Sequence, residues 1–186
     1  MTDFTIHTKK TAPVDSHALM DAAQEKFGFV PNVLAGLAEA PASLKGYMTL
    51  AGILGESSLS PAEQQVILLS ASRENACQYC VAAHTGGAKK AAVDDEVING
   101  IRDGAHIPDE KLRALSAFAT AIVAKQGWVD KDDLDLFFAA GYQQQQVLEV
   151  ILAIGVKTIS NYANHIIQTP LDKVFEPFAW APNEAS

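Results

Sequence analysis

The chain lacks a long apolar run, a dense basic cluster and all but two cysteines. Its longest apolar stretch, VILAIGV at 150–156, falls far short of the ~20 residues a bilayer span needs. The opening MTDFTIHTKKTAPVD has no apolar core of the kind a secretion signal carries, so a cytoplasmic location is expected. Lys and Arg number 14 against 22 Asp and Glu, a formal net charge of −8. The nearest approaches to a basic patch are HTKK near the start and the pair Lys89–Lys90. Such a surface repels phosphate backbones and anionic lipid, so neither nucleic acid nor membrane is an expected partner. Runs alternating apolar with polar residues are missing as well, which argues against a half-buried sheet.

What the chain does have is apolar bulk: 48% of its 186 residues are hydrophobic and 19% charged. That suffices for one domain with a substantial core. The apolar excess over the needs of a small monomer points to a homo-oligomer. One all-α domain over 1–186 is expected, with 1–15 and 181–186 as loose ends.

Every long periodic segment is helical. Ser16 is placed to cap a first helix bearing Leu19, Ala22, Ala23, Lys26 and Phe27 and ended by Gly28. VPNVLAGLAEAP gives a short helix stopped by Pro41, which then opens a segment with Leu44, Met48, Ala51 and Leu54 inside and Gly55 as its stop. SPAE is the strongest start signal, with Ser60 as N-cap, Pro61 at the first helical position and Glu63 closing a capping box. VILLSAS follows with no polar face and predicts a buried helix. Further helices carry Val93, Val97, Ile98 and Ile101 up to Gly104, then Leu112, Leu115, Phe118, Ala119 and Ile122 after Asp109. Asp130, Asp132 and Asp133 introduce Leu134, Phe137 and Phe138, stopped by Gly141. A long helix from about Gln144 to Gln168, with Val147, Ile151, Ile154, Thr158 and Ile159 along it, ends before Pro170. The tail WAPNEAS reads as frayed. A weak internal echo aligns 64–84 with 145–165, pairing Gln64 with Gln145 and His84 with His165, and suggests two related helical units about a pseudo-twofold axis.

The two cysteines stand in ENACQYCVAAH, spaced Cys77-x2-Cys80-x3-His84. On a helix these three residues fall within an arc of roughly 60°. Asn75 is a plausible N-cap with Gln78 as its partner, which sets Cys77 in the first turn, where helix dipole and free N–H groups favour a thiolate. His84, one turn beyond Cys80, is placed to take the thiol proton or to stand as an imidazolium beside a thiolate. Three readings are open: two buried core cysteines, a zinc site, or a redox pair. Zinc needs a fourth ligand, which only His165 offers, through the internal echo. A redox pair suits the i,i+3 spacing, because the Cα atoms lie about 5 Å apart, within disulfide reach. A sulfur oxidised by a hydroperoxide to sulfenic acid condenses there with its neighbour, and an external dithiol or thioredoxin-like reductant restores the pair.

The stretch SPAEQQVILLSASRENACQYCVAAH resembles the core of the AhpD-like alkylhydroperoxidases, within the carboxymuconolactone decarboxylase superfamily. FGFVPNVLAGLAEAPASLKGYMTLAGIL is similar to the opening segment of its peroxidase-related members, and SNYANHIIQTPLD to their last long helix. The resemblance, over about residues 27–172, implies an all-α fold, a homo-oligomer (a trimer or hexamer) and thiol peroxidase activity with no bound metal, haem or flavin. It implies Cys80 as the peroxide-reacting sulfur, Cys77 as the resolving one and His84 in a proton relay. The family's relay glutamate, twelve residues before the first cysteine, is Gln65 here. An amide hydrogen-bonds but carries no proton, so activity is expected to be weak or to run through a rewired relay. Glu63 is expected in its capping box rather than the site, and Glu74 is placed to reach the site from the helix junction. Tyr79 reads as a packed aromatic. Asn161, Asn164 and His165 are candidates to line the same cavity. His7, His17 and His106 read as surface residues, Trp128 and Trp180 as packing or interface residues. The alternatives to a hydroperoxide reductase are a decarboxylase-branch lyase or isomerase acting on a small acid, and a non-enzymatic redox-sensing or metal-binding oligomer.

Overall fold

The computed structural model describes residues 4–182, and these contain helices and no strand. Nine α-helices follow in order: α1 (His17–Phe27), α2 (Asn32–Leu37), α3 (Pro41–Leu54), α4 (Pro61–Glu74), α5 (Gln78–Lys90), α6 (Asp95–Asp103), α7 (Glu110–Ala124), α8 (Lys131–Ala139) and α9 (Gln144–Ile167). Short 3-10 turns occupy Val14–Ser16 and Lys173–Phe178. None of these helices is long and apolar enough to cross a membrane.

The start and stop chemistry of the sequence sets most of these boundaries. Ser60 accepts from the Glu63 backbone N–H while the Glu63 carboxylate accepts from that of Ser60, so a capping box opens α4. Asp130 and Asp133 do the same for α8, and Asp109 caps α7. Gly28 ends α1 in the left-handed region at φ 81°, where a side chain would cost backbone strain. Ser16 departs from expectation: its hydroxyl donates to the Ala38 carbonyl and caps no helix.

Helix α4 is the hub. Val66 through Ser72 are buried on every side, because α5, α6, α7 and α9 pack around it. The larger core gathers Val66, Ile67, Leu69, Leu115, Phe118, Phe137 and Val150. Phe137 is stacked between Phe118 and Tyr142, with centroids 4.3 and 4.5 Å away. A smaller core joins α1, α2 and α3 through Met20, Ala23, Leu34, Leu37 and Leu44, and it also takes in Cys77, Tyr79 and Cys80. The cysteine segment therefore sits against the N-terminal helices on one side and α9 on the other.

Several expectations need correcting. α9 is rotated from its predicted face: Val150, Ala153, Val156, Lys157, Ser160, Asn161 and Asn164 point inward, while Ile151 and Thr158 are exposed. The two echoing segments take different forms, since 64–84 is broken at Ala76 whereas 145–165 is one uninterrupted helix. His7 is buried rather than superficial; its imidazole meets Glu39 at 2.6 Å and its backbone N–H donates to Ala35. Trp128 is 88% exposed, so of the two roles expected for it packing in the core is excluded. Trp180 packs on the larger core and donates its indole N–H to the Arg102 carbonyl, so the tail is held to that point. Residues 1–3 and 183–186 of the expected loose ends lie outside the described residues.

Candidate active site

The thiols owe their placement to a sharp corner between α4 and α5. Asn75, expected to cap α5, instead ends α4. Ala76 turns the chain at φ 52°, a left-handed conformation usually given to glycine. The Ala76 N–H donates to the Arg73 carbonyl and the Cys77 N–H to that of Ser72, the paired bonds of a Schellman turn. Cys77 then becomes the N-cap of α5, and Cys80, not Cys77, lies within its first turn. The positive end of the helix dipole therefore acts on Cys80.

Donors converge on Cys80. The Asn164 amide Nδ2 is 3.1 Å from its Sγ and 4.0 Å from that of Cys77, and the Ser160 hydroxyl is 4.0 Å from the Cys80 Sγ. Burial acts to raise the Cys80 pKa. The Cys77 thiol, the charge of Lys157 and the Asn164 amide outweigh it and hold Cys80 well below the ordinary thiol value. Cys77 moves the opposite way: its proton is held against the Cys80 sulfur, and burial adds to the rise. The two sulfurs are thus pushed in opposite directions, Cys80 toward the thiolate and Cys77 toward the thiol, as a nucleophile and its resolving partner require.

The cation that balances this thiolate is Lys157, a residue the sequence reading passed over. It is only 1% exposed, and among the described residues no carboxylate pairs with it. Its Nζ lies 2.8 Å from His84 Nε2, and His84 Nδ1 lies 3.1 Å from Gln65 Oε1. An ammonium has only donors, so His84 accepts at Nε2 and donates from Nδ1 to the amide oxygen. Burial, and then the Lys157 charge, push the His84 pKa well down. His84 is consequently a neutral ring. The arrangement favours the first of the two roles considered for His84 from sequence, a neutral base, over an imidazolium. Gln65 can approach because residue 87 is glycine: a Cβ there would stand 2.5 Å from Gln65 Oε1.

Cys80, His84, Gln65 and Lys157 line one cavity of about 680 Å³, walled by Phe27, Tyr47, Tyr79, Phe175 and Phe178 among others, with no Asp or Glu in its lining. Tyr79 packs edge-on to Phe175 and donates its hydroxyl to Asp172. Burial raises the Tyr47 pKa, so its hydroxyl keeps its proton. Arg102 bonds Thr85 and the Phe178 carbonyl, which fastens the C-terminal wall over α5. Cys77 lies outside the lining. Glu63 is engaged with Ser60, Lys111 and Tyr142, and Glu74 is absent from the lining. Asn164 reaches the sulfurs, Asn161 accepts from Asn75, and His165 is exposed and outside the cavity, so it cannot complete a zinc site with the cysteines. Residues 157, 160, 161 and 164 follow i, i+3, i+4, i+7; that polar stripe inside an apolar helix was the available signal for Lys157.

Residues 41–123, which include α4, the corner and α5, match the sequence model of the carboxymuconolactone decarboxylase family. Over this segment the chain is similar to that family. The fold is similar to that of a peroxidase-related protein with an alkylhydroperoxidase AhpD core from Ralstonia eutropha, at TM-score 0.81 and 22% identity, covering 92% of this chain and 93% of that one. It is similar to a peroxidase-related protein from a Silicibacter species at TM-score 0.79 and 21% identity, covering 94% and 92%. The debrominase Bmp8 in complex with 2,3,4-tribromopyrrole also shares it, at TM-score 0.79 and 17% identity, covering 96% of each chain. No curated protein matches the chain in sequence.

Proposed function

We propose that this protein is a thiol-dependent hydroperoxide reductase. The observation that carries the reading is the unequal setting of the two sulfurs: Cys80 lines the cavity with Lys157 and meets the Asn164 amide at 3.1 Å, while Cys77 lies behind it, outside the lining. Cys80 attacks the O–O bond and becomes a sulfenic acid as alcohol leaves. Cys77 attacks that sulfur, water leaves, and the disulfide is reduced by an external dithiol or thioredoxin-like protein. His84 holds the cation of Lys157 in place, and Gln65 fixes the His84 tautomer. No bound cofactor enters this cycle. The exposed α9 face, with Leu148, Ile151, Tyr162 and Ile166, supports assembly as a homo-oligomer, measurable by analytical ultracentrifugation.

The test is peroxide consumption with mass spectrometry of the thiols. Cys80→Ser should abolish consumption, while Cys77→Ser should leave a sulfenic acid that dimedone traps at Cys80. Consumption unchanged in both variants would remove the proposal. Turnover of a lactone or small acid that survives thiol alkylation would favour the decarboxylase-branch reading instead.

A second reading employs the same sulfurs. The aromatic walls suit a halogenated ring, and the debrominase shares the fold. Two thiols supply the electrons that replace carbon-bound halogen with hydrogen, releasing halide and the disulfide. Bromide release from a bromopyrrole, with no hydroperoxide turnover, would select it.

A further inference from the structure

A hydroperoxide reduction needs an acid as well as a nucleophile, because the departing oxygen must gain a proton. The cavity lining contains no carboxyl group. Gln65 ends the hydrogen-bond chain as an acceptor and has no proton to give through its oxygen. His84 is neutral; its Nδ1 proton is committed to Gln65 and its Nε2 lone pair to Lys157. Tyr47 and Tyr79 have raised pKa values and are poor acids at neutral pH. Two lysines line the cavity: Lys90 is exposed at the far end of α5, ten residues beyond Cys80, whereas Lys157 is buried on α9, and it is the acid that is left.

We infer that Lys157 is the general acid of this site, donating its proton to the oxygen that leaves as the Cys80 sulfur attacks. The inference rests on the hydroperoxide reading above. The S–O bond forms, the O–O bond breaks, and its electron pair departs on the alkoxy oxygen. That oxygen takes the Lys157 proton and leaves as alcohol. Sulfur loses two electrons and becomes Cys80–SOH, and Lys157 is left a neutral amine. Cys77 then closes the disulfide, and its proton leaves with the hydroxyl as water. Thiolate and ammonium charges disappear together, so the oxidised site holds no unpaired buried charge, which would be costly. When a dithiol reduces the disulfide, one of its two protons recharges Lys157 and the other stays on Cys77.

The titratable groups facing Lys157 are Cys77, Cys80 and His84 from α5 and Tyr47 from α3. Neighbouring α4 offers Gln65 there, α2 has no titratable residue, and the charged Glu110, Lys111 and Arg113 of α7 pair elsewhere, at its start. No carboxylate is therefore at hand to take over the role.

The experiment compares wild type, Lys157→Arg and Lys157→Met. Each reduced protein is titrated by thiolate absorbance near 240 nm, and Cys80 oxidation by cumene hydroperoxide is followed in a single turnover across pH. Arg keeps the charge but does not release a proton. Lys157→Arg should keep the low thiolate pKa yet oxidise about 10²–10³-fold more slowly. Lys157→Met should lose both, its thiolate appearing only near the ordinary thiol range of about 8.5. A Lys157→Arg protein oxidised at the wild-type rate overturns the inference, as does a Lys157→Met protein with the wild-type profile. If Lys157→Met fails to fold, Lys157→Gln replaces it in both measurements, and a Lys157→Gln protein with the wild-type profile overturns the inference. A wild type that consumes no hydroperoxide defeats the reading beneath it; one that consumes it through Cys80, with Lys157→Arg unimpaired, defeats this inference alone.

Discussion

Two helices meet at the cavity, and they carry their chemistry differently. On α5 the reactive groups lie close in sequence, with Cys77, Cys80 and His84 within two turns. On α9 the contributing groups, Lys157, Ser160 and Asn164, stand in a helix that otherwise reads as apolar. The difference is instructive: in the proposed reaction α5 supplies the atoms that react, whereas α9 supplies the charge and donors that set the two sulfurs apart. A nucleophile's identity is local; its pKa is set by whatever packs against it.

The largest test of this comparison falls on α5. Cys80→Ser should cut peroxide consumption at least 10³-fold, and Cys77→Ser should retain one turnover while losing the disulfide. Equal losses from the two serines in a single turnover would erase the distinction between the sulfurs.

On α9, Asn164→Ala removes the donor 3.1 Å from Cys80. A charge-assisted hydrogen bond is worth roughly 1.5–3 kcal/mol, so the thiolate pKa should rise and the alkylation rate of Cys80 at neutral pH fall about 10–100-fold. The sign follows from the shift: Cys80 lies below the ordinary thiol value, its reactivity plateau therefore begins at lower pH than a free thiol's, and losing a donor moves that plateau upward. An unaltered pH profile would show that α9 is only a wall.

Gly87→Ala tests the support between the helices. Its Cβ would collide with Gln65 and displace it from His84. We expect about a 10-fold loss in turnover, a size usual for disturbed positioning groups, with the Cys80 thiolate absorbance intact, because Lys157 remains. A loss of thiolate instead would assign its stabilisation to the His84–Gln65 pair.

The smallest effect should come from Ala76→Gly at the corner. Relief of a left-handed alanine should stabilise the fold by about 1 kcal/mol in urea unfolding and leave thiol reactivity unchanged.

The same contrast explains what was legible in the sequence. Caps and stops are short-range chemistry, so Ser60, Pro61, Glu63, Asp109, Asp130 and Gly28 marked helix ends directly. The cysteine–histidine spacing was equally local. Asn75 misled because an Asn before a cysteine pair reads as a cap, whereas the Schellman bonds of Ala76 and Cys77 close α4 instead. The buried face of α9 depended on tertiary packing: with α3, α4 and α5 all against it, the cavity drew its polar stripe inward and left Ile151 outside. Lys157 was hidden by the usual rule that lysines face water. Only the thiolate and His84 beside it explain why this one does not.

Competitive alkylation of the reduced protein reads the asymmetry of the two sulfurs most directly. Brief exposure to limiting iodoacetamide at pH 6, followed by peptide mass spectrometry, reads which sulfur is the thiolate. Cys80 should be carboxamidomethylated well ahead of Cys77. Modification of Cys77 first, or of both at the slow rate of an ordinary thiol, would contradict it.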